Sequence, residues 1–437
     1  MSETNLERRQ FFRALAAGAG LGLIGCQAAQ GQVPAAPPPT DEWARVRAEF
    51  NLSPRYIHLA GFLLASHPRA VREAIERHRR ALDDNPALYV EQHFSTFDEV
   101  RKVAAAYLGA KPEEIALTDS TTMGLAILYL GLPLAPGDEV ITTTHDHYAT
   151  HESLRLATLR ARAELRKVPL YERASAATPE AMAAAIQKAI RPQTRVVAIT
   201  WVHSSTGVRT PVRAIADVVA AANARRAPEQ RILLCVDGVH GFGVEDATMA
   251  ELGCDFLAAG THKWIFGPRG TGILWGRAEH WAKLRPTIPS FGRAAYQAWM
   301  KGAEAQQPTT ADLVSPGGFH SFEHRWALGE AFQLHLAIGK RNVAGRIHEL
   351  NRQCKQGLAS MKNVTLHTPQ RDDASSGIIT FEIAGLEPKA IVERLLQKSI
   401  VASTTPYATS YARLAPGLLN TPEEIERTLG ELRAMAG

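Results

Sequence analysis

The chain has 437 residues, enough to bury a large core and to hold two domains. Its hydrophobic content of 45% and charged content of 21% are ordinary for a soluble globular protein. The formal net charge of +5 is modest and no dense Lys/Arg run follows the leader, which gives nucleic-acid binding no support.

The amino terminus reads as a targeting segment rather than as part of the fold. Glu7-Arg8-Arg9-Gln10-Phe11-Phe12-Arg13 resembles a twin-arginine export signal. Ala14 to Ile24 is apolar but too short for a permanent membrane helix. Leu23-Ile24-Gly25-Cys26 resembles a lipobox, with Cys26 as the candidate acylated residue; a soluble cleavage site nearby is the alternative. The twin-arginine route carries folded proteins, so the expected location is the periplasm, with a candidate lipid anchor at Cys26. Residues 1–26 are read as the signal, 27–50 as a flexible linker, 51–290 as a large domain and 291–437 as a small C-terminal domain. Cys235, Cys254 and Cys354 imply no disulfide framework and carry no metal-ligand spacing.

Tyr56 to Leu64 predicts a short strand and loop. A basic amphipathic helix follows from about Arg69 to Leu82, stopped by Asp83-Asp84-Asn85-Pro86. Glu91 to Leu108 predicts a second helix and Ile115 to Leu117 a short strand. Thr118-Asp119-Ser120-Thr121-Thr122-Met123-Gly124 then opens an apolar helix. Small hydroxyl residues at a strand-to-helix turn make a ready phosphate cradle, although the same residues are ordinary N-caps. Glu139 to Thr144 is a strand ending in His145-Asp146-His147-Tyr148, which lacks a third ligand for a metal. Leu154 to Arg162 predicts a helix, Glu164 to Pro169 an edge strand, Thr178 to Ile190 a helix and Arg195 to Val202 a strand.

Two further buried-strand patterns organise the chain. ILLCV closes on Asp237, and FLAAGTH runs into Lys263. The βαβα rhythm implies a mostly parallel sheet, and ligands of such sheets sit beyond the carboxyl ends of the strands. An amine and an acid therefore face one crevice. That pairing suits pyridoxal 5'-phosphate (PLP), which uses a lysine for its Schiff base and a carboxylate at its pyridine nitrogen. Pro286 to Gly318 is polar and Gly-rich and reads as a loop over the site's mouth. Helices from about Trp326 to Lys340 and Ala344 to Met361 precede a small α+β domain.

The strings VDGVHG and GTHKWIFGPRGTG resemble the core of the class V aminotransferases, in the isopenicillin-N-epimerase-like and cysteine-desulfurase-like branch. The resemblance covers about residues 50–437. It implies an α/β fold of the fold-type-I PLP kind: a mostly parallel, seven-stranded-type sheet between helices, plus a small α+β domain, in a homodimer. It implies Lys263 as the catalytic lysine and Asp237 as the pyridinium partner. It further implies a cofactor neighbourhood of His240, Thr121, Thr122, His262 and Thr261, with His147 stacked on the ring. In the desulfurases an Asn stands where this chain has Ser204. Gly61, Phe62 and Asn85 fall where related enzymes fold over the substrate, and Phe62 is taken as a substrate neighbour.

The departures bear on substrate. Many relatives carry a carboxylate-clamping arginine where IVASTT places Ser403, and serine cannot make a bidentate contact. Either another arginine serves, with Arg325 and Arg413 as the candidates, or the substrate lacks a free α-carboxylate there. Relatives often show F-E-x-G-T where this chain has FEHRWA, so the contact that Gly-Thr makes across the dimer is not implied here, while dimerisation itself still is. No cysteine lies between Ser375 and Tyr411, so persulfide-forming desulfurase chemistry is not expected. The expected function is a PLP-dependent transformation of an amino acid or peptide-like amine in the cell envelope. The alternatives are tailoring of a siderophore of the pyoverdine type, epimerisation, and a non-catalytic ligand-binding protein. A nicotinamide dehydrogenase ranks last, because no strand is followed by G-x-G-x-x-G.

Overall fold

The computed structural model describes residues 41–303 and 308–437. The segment expected to be an export signal, Cys26 and most of the expected linker lie outside the described residues. Residues 41–50, read above as the end of that linker, are folded. Asp41 caps a helix over Glu42–Ala48, and Val46 and Phe50 are buried in the core.

The central layer is a seven-stranded sheet. Its strands are β2 (Ile115–Thr118), β3 (Glu139–Thr143), β4 (Glu164–Val168), β5 (Thr194–Thr200), β6 (Leu233–Asp237), β7 (Phe256–Gly260) and β8 (Gly272–Gly276), in the order β2-β8-β7-β6-β5-β3-β4. Only β8 runs against the rest, pairing antiparallel with both β7 and β2. Alternate residues feed opposite helical layers. Leu234 and Val236 of β6 join one core, with Ile199 of β5 and Leu257 of β7; Leu233 and Cys235 join the other, with Ala198 and Phe256. Burial on both faces is why these strands read as unbroken apolar runs.

The second core is built on a four-stranded antiparallel sheet, with strand order β12-β13-β10-β9. These strands are β9 (Val364–Leu366), β10 (Ile379–Ile383), β12 (Ser403–Thr404) and β13 (Ala412–Leu414). The amino-terminal segment crosses onto it. β1 (Ile57–His58) pairs in parallel with β11 (Ile400–Val401), and Ile57 and Leu59 join that core.

Several expectations shift. The helix expected from Leu154 starts at Tyr148, because His147 serves as its N-cap. The segment expected to be one helix from Glu91 is two, Pro86–His93 and Thr96–Leu108. The Pro286–Gly318 loop contains helices Arg293–Met300 and Ala311–Val314 and packs on the β2 edge, where Leu117 N donates to Ser315 Oγ at 3.2 Å. The helix Phe322–Ile338 places Leu328, Ala331 and Phe332 in the core of the large sheet.

Candidate active site

β6 ends in Asp237, and β7 runs directly into the loop that carries Lys263. Asp237 is 2% exposed. Thr150 Oγ1 donates to its Oδ2 at 2.9 Å, and the Val239 N–H donates to Oδ1 at 3.2 Å. Burial pushes the carboxyl up to about 6, against those two bonds, which favour the charged form. Burial pulls the Lys263 ammonium down to about 8; the Asp237 charge resists this and Arg413 adds to it.

The lysine loop is pinned at several points. Gly267 N–H donates to Thr261 O at 2.8 Å and Phe266 N–H to Lys263 O at 3.0 Å. Phe266 takes a φ of +61°, a left-handed backbone that a bulky residue holds only when packing imposes it. The packing is visible: its ring meets Phe50 edge-on, with centroids 4.9 Å apart.

Beside this loop, Ser120 caps the helix Thr121–Gly131 by accepting from Met123 N–H at 3.1 Å. The first-turn N–H groups of Thr121 and Thr122 have no intrahelical acceptor. Thr121 Oγ1 accepts from Gly260 N–H at 2.7 Å, which fixes the helix end to β7. Gly260 keeps this approach close: a Cβ there would lie 2.9 Å from His262 Cε1 and 3.0 Å from Thr121 Oγ1, so both side chains would have to shift. His262 is held below its ordinary pKa by burial and then by Lys263.

His240 is buried and neutral, its pKa driven well down by burial and then by Lys263 and Arg413. Its Nδ1 accepts from Trp264 Nε1 at 3.3 Å, so Nε2 carries the hydrogen. His147 sits at the open mouth, with Nδ1 accepting from Ala149 N–H at 3.2 Å; its pKa is lowered by partial enclosure, then by Lys263 and Arg413. Lys263 thus acts electrostatically on Asp237, His147, His240 and His262, and Arg413 acts on Lys263, His147 and His240. Phe62 ties the two sides together, meeting the Arg413 guanidinium at 4.4 Å and the His240 ring at 5.8 Å, and the space between these groups is taken as the candidate cleft.

Arg413 reaches that cleft from the smaller sheet. It is 3% exposed and lies 4.4 Å over the Phe62 ring. Its Nε donates to Ser403 Oγ at 3.1 Å, one terminal nitrogen to Ser204 O at 2.8 Å and the other to Thr404 O at 3.1 Å. Phe62 stacks on Trp264 and is fully buried, so it forms the floor beneath Arg413 rather than a substrate wall.

Two expected residues do not join the cluster. Arg325 is paired with Asp119 and lines a separate cavity of about 1120 Å³ together with Phe94, Phe97 and Phe291. Thr261 is fully buried and shares its hydroxyl with Thr271 at 2.5 Å, which closes the loop's base. Ser204 does line the cleft, but its Oγ is bonded to Tyr407 Oη at 2.6 Å.

Sequence reasoning missed Thr150, Trp264 and Tyr407, whose partners are distant in the chain. It also missed a buried layer under Asp237. There Asp146 accepts from Thr142 Oγ1 at 2.7 Å, Thr143 N–H at 2.6 Å and Thr200 N–H at 2.9 Å. His203 lies 3.8 Å from Asp146, but burial holds it neutral, with its pKa lowered to about 3, so the two form no ion pair. Among the described residues no His/Cys/Asp/Glu cluster has the makings of a metal site.

A buried acid, an amine of lowered pKa and a helix terminus with free N–H donors around a glycine-made cradle fit PLP: ring nitrogen to Asp237, aldehyde to Lys263, phosphate to Thr121 and Thr122.

The family model described as aminotransferase class-V matches residues 67–427. The isopenicillin N epimerase of Streptomyces clavuligerus is 25% identical over 412 residues, covering 91% of this chain and 99% of that protein. A probable cysteine desulfurase of Halalkalibacterium halodurans is 24% identical, covering 86% and 92%. Two solved structures share the fold. One is a C-DES mutant with glycine covalently linked to its PLP cofactor (TM-score 0.78, 21% identity, 89% of this chain and 98% of that one). The other is the apo cysteine desulfurase of Thermococcus onnurineus NA1 (TM-score 0.76, 20% identity, 94% and 99%).

Proposed function

The chain belongs to the class-V aminotransferase family, and from that premise we propose that it acts on an amine that also carries a carboxylate, an amino acid or a peptide-like amine, in the cell envelope. It is a PLP-dependent enzyme. Bound in the cleft, PLP supplies an aldehyde for the amine and an electron-withdrawing ring.

The chain's own residues do the rest. Asp237, buried and hydrogen-bonded on both oxygens, holds a proton at the ring nitrogen. Lys263 has a pKa near 8, so roughly a tenth of it is neutral at pH 7, against well under a thousandth for a free lysine. Its neutral amine would be the base that takes and returns the Cα proton of a substrate held in the cleft. Arg413 commits three of its five N–H donors to the protein, which leaves one on each terminal nitrogen for a carboxylate.

The observation that carries this reading is the placement of Arg413: it lies 4.4 Å over the Phe62 ring, which meets His240 edge-on at 5.8 Å, and His240 is bonded to Trp264, the residue next to Lys263. Sulfur transfer is not favoured: Cys235, Cys254 and Cys354 are buried, and burial raises each thiol pKa. The test is Cα-proton exchange. PLP-loaded protein incubated in deuterated water with an amino-acid panel should wash deuterium into Cα of at least one member. No exchange with any amino acid, in protein shown to hold PLP, removes the reading.

We further propose export through the Arg8-Arg9 signal, with Cys26 as the anchor. A homodimer is proposed with the cavity near Arg325 at its interface. Exposed Phe319 (87%) and Trp299 (70%) in the adjoining 290–320 segment support the latter. Light scattering giving a monomer at micromolar concentration counts against the dimer.

A further inference from the structure

The loop between β12 and β13 carries Tyr407 into the cleft. Its base is closed by Thr405 N–H to Tyr411 O and Tyr411 N–H to Thr405 Oγ1, both 2.9 Å, and by Ser410 Oγ to Thr405 O at 2.9 Å. Tyr407 is presented beyond that closure. Its ring meets His147 edge-on, with centroids 6.2 Å apart and planes at 81°, and its hydroxyl is 2.6 Å from Ser204 Oγ. Ser204 in turn offers its carbonyl to Arg413. The phenol therefore stands beside the guanidinium that the preceding reading assigns to the substrate carboxylate.

A hydrogen count narrows what this pair can do. Two hydroxyls joined by one hydrogen bond commit one hydrogen and leave one free to donate elsewhere. If Ser204 donates to Tyr407, the phenolic hydrogen is free. If Tyr407 donates to Ser204, the serine hydrogen is free. The phenol stays protonated at neutral pH because burial raises its pKa, so a donor is always present. An anion held by Arg413 selects the first arrangement, since the freed phenolic hydrogen then points to negative charge. The serine hydrogen is then taken up by Tyr407 and cannot serve the cofactor.

We propose that Tyr407, oriented by Ser204, is a substrate-binding residue that donates to the carboxylate held by Arg413, so that the cleft recognises an amino acid carboxylate with a guanidinium and a phenol together. The proposal rests on the carboxylate reading of Arg413, and the experiment separates the two. Reduced, unreactive conjugates of PLP with alanine and with ethylamine differ by a single carboxylate. Calorimetry on the full chain freed of PLP gives the affinity for each.

In the unmodified protein the alanine conjugate should bind about a hundredfold more tightly, the size expected for charge-assisted bonds to a buried arginine and one further donor. Tyr407→Phe keeps the ring and removes the hydroxyl. It should cut that preference about tenfold while leaving the ethylamine conjugate within about twofold of its original affinity. An unchanged preference, or equal losses for both conjugates, overturns the role of Tyr407. A chain that shows no preference before mutation removes the Arg413 reading and the Tyr407 proposal with it. Should Tyr407→Phe not fold, Ser204→Ala takes its place, with a preference lowered about threefold in support and an unchanged one overturning it.

Discussion

Ser403 and Arg413 face each other across the β12–β13 strand pair, and the arginine Nε donates to the serine hydroxyl at 3.1 Å. Resemblance to the family leads one to expect an arginine at the Ser403 position; here a guanidinium stands beside that position, on the neighbouring strand. A linear reading of IVASTT sees a lost clamp. The paired strands place the Arg413 guanidinium beside Ser403, and this is the group proposed above for the substrate carboxylate.

Arg413→Lys follows directly. A lysine cannot hold Ser403, Ser204 and Thr404 while presenting two parallel donors. The KM for a carboxylate-bearing substrate should rise on the order of tenfold to a hundredfold, with a smaller change in kcat. Steady-state kinetics on the substrate found by deuterium exchange checks this. An unchanged KM assigns carboxylate binding elsewhere.

Asp237→Asn should separate stability from function. The carboxyl pKa is raised from 3.8 to about 6 in the folded chain, so the folded state binds a proton more tightly than the unfolded one. Without cofactor, stability therefore falls as pH rises from about 4 to 6, and the cost is fully present at pH 7. Removing the charge should stabilise the cofactor-free protein by on the order of 1–3 kcal/mol at pH 7 and little at pH 4. Activity should fall by several orders of magnitude, because nothing then keeps the ring nitrogen protonated. Denaturant melts at the two pH values measure the first effect.

The rate of PLP uptake by cofactor-free protein should rise with pH around a midpoint near 8, as Lys263 loses its proton. Retention of PLP should weaken below about pH 6, as Asp237 becomes neutral. A midpoint near 10.5 in stopped-flow absorbance means that Lys263 is not in the environment described.

Arg8→Lys combined with Arg9→Lys should retain the protein in the cytoplasm, and Cys26→Ser should release it from the membrane fraction. Fractionation and immunoblotting read both. An unaltered distribution in the first variant removes the twin-arginine assignment.

The sheet was legible because strands buried on both faces are apolar along their middles, as Val196–Ile199 of β5, Leu233–Val236 of β6 and Phe256–Gly260 of β7 are. Asp237 and Lys263 were legible because each polar residue closes such a run. Thr150 was not, since it lies 87 residues from Asp237 in sequence, and Tyr407 lies 203 residues from Ser204. Hydroxyl pairs at that separation leave no local pattern. Arg325 was misplaced for a related reason: a lone arginine does not announce its partner, and Asp119 claims it. Residues 41–50 looked like linker because a seven-residue helix, about two turns, is too short to show a clear periodicity, and their burial comes from tertiary contact.

The central claim is that Lys263 holds the cofactor. Borohydride reduction of the PLP-loaded protein, followed by peptide mass mapping, tests it most directly. A phosphopyridoxyl adduct confined to the Lys263 peptide, and lost in Lys263→Ala, is the result the account predicts. An adduct on a different lysine, or its persistence in Lys263→Ala, contradicts it.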